Sequence, residues 1–214
     1  MRLSLIGPGD IEYHYNKLLK IDNNTLNNHL DKIAQLLVNA NAELEILPDR
    51  GVSTELAKLY KKKGGKKVIG AVPKSDTTFG IEHLKPYINE KVNGKPLIDE
   101  IIDTGDWFKH DLIKGLLGNH LLCLGSSPGS NGERHYAVYL YKLMQRFKEG
   151  VEISGKRIHP EIRAGKNFSI IAYSPFFLDK KLPREDEAYC EKFGINLYYA
   201  KSPKELESIL KELS

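Results

Sequence analysis

Residues 120–133 read His120-Leu121-Leu122-Cys123-Leu124-Gly125-Ser126-Ser127-Pro128-Gly129-Ser130-Asn131-Gly132-Glu133. The apolar run His120 to Leu124 has the unbroken hydrophobicity of a strand covered on both faces, which is how strands of parallel sheets read. The turn Gly125 to Gly132 delivers it to a helix expected from Glu133 to Lys148, with Ala137, Leu140, Tyr141, Met144 and Phe147 as the buried face. Strand, small-residue turn and long amphipathic helix together are one βα unit.

The same alternation runs outward in both directions. Strands are expected at Arg2 to Ile6, Leu44 to Leu47, Lys67 to Val72, Ile98 to Ile102, Phe168 to Tyr173 and Asn196 to Ala200. Between them lie helical patterns at Thr25 to Asn39, from Val52 to the Gly64-Gly65 stop, at Trp107 to Leu117, at Glu185 to Phe193 and from Pro203. Asn23, Asn24 or Thr25 is available to cap the first helix. Ser202-Pro203-Lys204-Glu205 reads as a capping box with proline at the first helical position. Residues 74–105, broken by Gly80, Pro86, Gly94 and Pro96, are expected to hold one short helix besides the Ile98 to Ile102 strand, and 151–165 a hairpin or irregular excursion. The expectation is an α/β fold: a Rossmann-like three-layer sandwich on a mostly parallel sheet of about seven strands, one domain over residues 1–214.

Composition narrows the function classes. The 214 residues are 41% hydrophobic and 28% charged with a net charge of +4, which excludes fibrous, disordered and disulfide-stapled classes. Apolar runs are far shorter than the ~20 residues of a membrane span. Met1 to Ile6 lacks the order of a secretory leader, so a cytoplasmic protein is expected. Basic residues exceed acidic ones only by 32 to 28, with no basic stripe interleaved with aromatics, so nucleic acid is not an expected partner. Cys123 and Cys190 have no ligand-spaced neighbours and read as buried, inert thiols.

Open parallel sheets bind ligands beyond the carboxyl ends of their strands. Three strand-end turns are therefore candidate ligand positions. Gly7-Pro8-Gly9 lacks the spacing of a dinucleotide fingerprint, and is either a turn admitting a ligand edge or a plain turn. After the second strand, Arg50 with Gly51 and Ser53 could hold an anion at a helix start; Ser53 or Thr54 could equally be only a cap. In the third turn, Gly125, Ser126, Ser127, Gly129, Ser130, Asn131 and Gly132 let backbone approach a phosphate, and no lysine stands at a Walker position. Glu133 is suited to a sugar hydroxyl or to acid/base work, or else to stabilising the helix dipole. Asp103, Asp106 and Trp107 are further candidates for base or sugar contacts.

The spacing Leu-x-x-x-Pro-Gly-Ser-x-x-Glu over Leu124 to Glu133 resembles the L-P-G-G-x-G-T-x-x-E signature of the Lonely Guy (LOG) family in the wider SLOG superfamily. Lys62 to Pro73 resembles the family's G-G-x-V-I-G-V-x-P segment, in the same order. The resemblance implies a Rossmann-like fold and cleavage of the N-glycosidic bond of nucleoside 5'-monophosphates, with no metal or organic cofactor and commonly a homodimer. It places Gly129 and Ser130 on the phosphate and Glu133 at the reacting sugar. Gly125, Ser126 and Ser127 stand in place of the motif's Pro-Gly-Gly, and His110 stands where the family has an arginine. A neutral imidazole lacks that residue's permanent charge and fork of donors. The implied function is a nucleotide-binding protein with a phosphoribohydrolase-like activity, Glu133 and His110 its catalytic pair. The alternative is a non-catalytic nucleotide or cofactor carrier or sensor of the same fold.

Overall fold

A computed structural model describes residues 1–107, 120–144, 152–153, 156–157 and 168–214. Its strands in chain order are β1 (Arg2–Ile6), β2 (Glu43–Ile46), β3 (Lys67–Val72), β4 (Lys91–Val92), β5 (Lys95–Pro96), β6 (Glu100–Asp103), β7 (His120–Cys123), β8 (Glu152–Ile153), β9 (Lys156–Arg157), β10 (Ser169–Tyr173) and β11 (Asn196–Ala200). The helices are α1 (Asn23–Asn39), α2 (Val52–Lys62), α3 (Lys85–Ile88), α4 (Pro128–Met144), α5 (Arg184–Phe193) and α6 (Pro203–Leu213). Seven strands form one sheet in the order β11-β10-β7-β1-β2-β3-β6, and every pairing in it is parallel. The two short hairpins β4-β5 and β8-β9 stand outside it.

Side chains alternate across each strand, and this divides the core in two. Leu3, Leu5, Leu44, Ile46, Val68, Leu122 and Ile171 face the helices α1, α2 and α6. Leu121, Cys123, Ile170 and Ala172 face α4 and α5, meeting Ala137, Leu140, Tyr141 and Cys190. The strand order positions the site. The chain builds outward from β1 through β2 and β3 to β6, then returns to the other side of β1 and builds outward again through β7, β10 and β11. The direction of winding reverses between β1 and β7, where adjacent crossovers part and leave a crevice at the carboxyl end of the sheet.

Three local differences from the sequence reading have physical causes. α4 starts at Pro128, not Glu133, because Ser127 caps it: the Ser127 hydroxyl accepts from the Ser130 N–H at 3.2 Å, and the Ser130 hydroxyl accepts from the Ser127 N–H at 2.8 Å. This is a reciprocal capping box with serine in the usual Glu/Gln place and proline at the first helical position. α1 is capped by Asp22, whose carboxylate accepts from the Thr25 N–H at 2.9 Å, so none of Asn23, Asn24 and Thr25 supplies the cap. Glu12–Leu18 forms a π-helix that turns His14 and Tyr15 into the interior, where the Tyr15 hydroxyl donates to the Leu124 carbonyl. The helix read from Trp107 to Leu117 and most of the 151–165 excursion lie outside the described residues.

His120 is buried at the head of β7, with Nδ1 2.7 Å from the Ser169 hydroxyl, and burial pulls its imidazole down to about 4. Burial also holds His14 and His29 below the ordinary histidine value. An unfolded chain protonates these rings below its ordinary value of about 6.5, whereas folded His120 stays neutral to about 4. Acidification through that window therefore favours unfolding, and the loss is complete below it. Thermal melts should be flat from pH 8 to 7 and fall steadily towards pH 4, His120 contributing up to roughly 3 kcal/mol of the loss. A His120→Asn variant should show a shallower pH dependence.

Candidate functional site

The turns after β1, β2 and β7 meet at the reversal and enclose a crevice of about 170 Å³. Of the residues singled out from sequence, Gly7, Gly9, Arg50, Gly51, Ser53, Ser127, Gly129, Ser130 and Glu133 line it, together with Leu47 and Asp49, which sequence reasoning passed over as ligand residues. Pro8, Gly125, Ser126, Asn131 and Gly132 are not among its walls. His110 lies outside the described residues. Asp103 and Trp107 act elsewhere: Asp103 accepts from the Lys74 and Gly105 N–H groups, and the Trp107 indole donates to the Gly80 carbonyl at 2.9 Å.

Backbone contact between the turns explains their glycines. Gly51 has φ +130°, and a Cβ there would fall 2.7 Å from the Gly9 Cα and from the Pro8 oxygen. Gly125 has φ +129°, and its Cβ would lie 2.6 Å from the His14 Nε2. Neither site admits a side chain in space or in conformation. Pro8 belongs to this contact rather than to the lining, because its carbonyl accepts from the Val52 N–H at 3.1 Å and ties the β1 turn to the start of α2. Behind Gly125, His14 Nε2 lies 3.1 Å from the Phe176 carbonyl, joining the π-helix to the turn after β10.

The polar groups of the crevice are mixed in sign. Arg50 is exposed at its mouth beside Asp49, and Glu133 is 7% exposed in its wall. Ser53 and Thr54 do not cap α2; Gly51 holds the cap position, Ser53 donates to the Leu5 carbonyl at 3.2 Å, and Thr54 donates to the Asp49 carbonyl at 2.5 Å. At α4, proline lacks one of the first N–H groups and the Ser127 hydroxyl takes that of Ser130. An anion at that helix start must displace a serine hydroxyl, so the 125–132 turn is a weaker phosphate cradle than its composition implies.

A residue absent from the sequence reading holds this end of α4 in place. Arg134 is 1% exposed; its Nη2 lies 2.5 Å from the Asp186 carboxylate of α5 and its Nη1 donates to the Asn131 side chain at 3.1 Å. Asn131 is thereby a structural partner of Arg134. Arg134 shares the helical phase of Ala137 and Tyr141, and that spacing is the signal that could have marked it as buried. Burial pushes the Cys123 thiol up to about 12 and the Cys190 thiol up to about 11, so both are protonated at neutral pH. Among the described residues no group of His, Cys, Asp and Glu is placed to hold a metal ion.

The fold resembles that of molybdenum-cofactor carriers. The molybdenum cofactor carrier protein of Chlamydomonas reinhardtii superposes with a TM-score of 0.57 at 16% identity, over 99% of this chain and 96% of that one. The molybdenum cofactor binding protein of the phototrophic bacterium Rippkaea orientalis gives 0.57, 16%, 99% and 96%. The protein TM1055 gives 0.56 and 15%, over 99% of this chain and 98% of that one. No family model matches the sequence, and no curated protein matches it significantly. Identity this low shows a shared α/β architecture.

Gly51→Ala and Gly125→Ala should each lower stability by about 1–3 kcal/mol in denaturant titrations, since both demand left-handed backbone against a close neighbour. Gly129→Ala, where an added Cβ meets nothing within 4 Å, should leave stability unchanged or raise it by up to ~1 kcal/mol. Asp186→Ala strands the buried Arg134 charge and should cost about 3–5 kcal/mol.

Proposed function

We propose that this chain is a non-catalytic carrier or sensor of a small phosphorylated, cofactor-like ligand, held in the crevice between the β1, β2 and β7 turns, and that it is a diverged relative of the SLOG superfamily. The observation that carries this reading is the convergence of three strand-end turns, packed backbone to backbone, at the reversal point of a parallel sheet. It is supported by the shared fold of proteins that carry or bind the molybdenum cofactor. Arg50 supplies the cation for an anionic group; the Ser53, Ser127 and Ser130 hydroxyls are already bonded within the protein, and their remaining lone pairs suit hydroxyl or amide donors of the ligand. A crevice of about 170 Å³ is small beside typical ligand sites. A homodimer in the cytoplasm, with a second copy closing the open side, belongs to this proposal.

One observation favours a second reading. Glu133 and Arg50 line the same crevice, and a buried carboxylate near a cation is what an N-glycosidase acting on nucleoside monophosphates requires.

Melting the protein against the molybdenum cofactor and a panel of nucleoside 5'-monophosphates, while assaying for free base, separates the two. A bound carrier ligand should add about 2.7 kcal/mol of stability at a hundredfold excess over Kd, with no base released. Arg50→Ala should abolish that protection. Base release that disappears in Glu133→Gln would instead establish the hydrolase, and protection by no ligand would remove the carrier reading.

A further inference from the structure

A second depression lies on the same edge of the sheet, beyond the carboxyl ends of β10 and β11, and encloses about 760 Å³. Ser174 and Pro175 from the turn after β10 form one wall, and Tyr199 and Lys201 from the end of β11 another. Lys180 and Lys181 bring two more ammonium groups, against the carboxylates of Asp179 and Glu205. Glu205 is already engaged at the start of α6, where its carboxylate accepts from the Lys201 N–H at 3.1 Å and its own N–H donates to the Ser202 hydroxyl at 3.2 Å. The start of α6 is already closed by the Ser202 cap and by Pro203, so the positive charge of the depression is that of its lysines.

Two observations distinguish this place from a merely solvated lysine surface. The Ser174 hydroxyl is buried, with the residue 3% exposed, and it has no hydrogen-bond partner among the described residues. Burying a hydroxyl without a partner costs about 1–3 kcal/mol, which an acceptor bound beside it would offset. The walls are also fixed: the Tyr199 hydroxyl donates to Glu187 at 2.6 Å and accepts from the Leu182 N–H at 3.2 Å, so its ring stands as a rigid side of the depression. The charge of Lys180 acts inward as well, because together with burial and Lys32 it holds the His29 imidazole below its ordinary value.

We infer that this depression is an anion-binding site, and that Lys180, Lys181 and Lys201 hold a small ligand bearing two or more phosphate-type charges. Lysine suits this role as a compact charge with three donors that can follow a flexible phosphate chain. The volume lies within the range of nucleotide-sized sites. The site is separate from the β1/β7 crevice and stands or falls independently of it. The two share one structural element: the turn Ser174–Phe176 walls this depression, and its Phe176 carbonyl backs Gly125 behind the crevice.

Calorimetric titration of the full chain with inorganic pyrophosphate at low salt tests the assignment. One equivalent should bind, and combined Lys180→Ala, Lys181→Ala and Lys201→Ala substitutions should weaken binding on the order of 1,000-fold, at about tenfold per lysine. Because all three side chains are exposed, the triple variant should melt as the wild type does. Ser174→Ala should weaken binding severalfold, Lys201→Arg should retain it, and Arg50→Ala should leave it unchanged. In wild type, the His29 ring resonances should move on pyrophosphate addition. Absence of binding, or unimpaired binding by the triple variant, would overturn the assignment; loss of binding in Arg50→Ala would place the anion in the crevice instead.

Discussion

The contact on which the rest of the structure depends is the passage of the Gly7-Pro8-Gly9 turn between Gly51 on one side and Gly125 on the other. β1 is the strand from which both halves of the sheet are built, so its exit must clear the first turn of each half. It does so at backbone distance: a methyl group on Gly51 would meet the Gly9 Cα, and one on Gly125 would meet the Pro8 ring at 3.1 Å besides the imidazole of His14. Gly7 is squeezed in the same way, its absent Cβ lying 2.5 Å from the Val52 side chain. Any bulk at these positions would push α2 and α4 away from β1 and open the reversal point. The crevice is therefore a by-product of close packing at the switch point, and its position follows from topology before any ligand is considered.

What topology does not set is the chemistry. Serine hydroxyls occupy the start of α4, a single guanidinium stands beside two carboxylates among the lining residues, and both thiols are protonated in the core. Holding a ligand requires shape, a counter-charge and hydrogen bonds; turning it over requires in addition an acid and a base in register with the scissile bond. The described walls bring Arg50, Asp49, Glu133 and three serine hydroxyls to one crevice. The same fold carries molybdenum-cofactor carrier or binding proteins at identities of 16–17%, as expected when function resides in a few side chains grafted on a common frame.

Legibility in the sequence followed punctuation. β3 and β11 were readable to the residue and α6 at its start, because glycines, prolines and a Ser-Pro-x-Glu cap mark those ends. The start of α4 was not: Ser-Ser-Pro-Gly-Ser-Asn-Gly has the composition of a loop, and only the reciprocal serine hydrogen bonds reveal a helix already under way. The π-helix at Glu12–Leu18 was invisible, since its wider turn breaks the 3.6-residue period on which helix reading relies. That omission hid His14 and Tyr15, which brace the crevice from behind. The strand-end turns were legible as ligand positions because parallel-sheet topology dictates them. Their inner division was not, because whether Asp49 lines the crevice depends on residues far apart in sequence, and Asn131 serves Arg134, its neighbour on the helix, only because Asp186, 52 residues on, holds that guanidinium in the interior.

The positive charge along this edge of the sheet is unevenly spread. The crevice has Arg50 against Asp49 and Glu133, whereas the neighbouring depression has three lysines against Asp179 and a Glu205 already bound to backbone. An anion gains most where the local charge is positive and no hydroxyl must be displaced to receive it. Both helix starts on this edge carry a serine cap and a proline, so the two places differ in their charged side chains and not in free helix N–H groups. A run of small residues shows where backbone can come close; which ligand group settles there depends on whether its donors are still free once the helix has been capped.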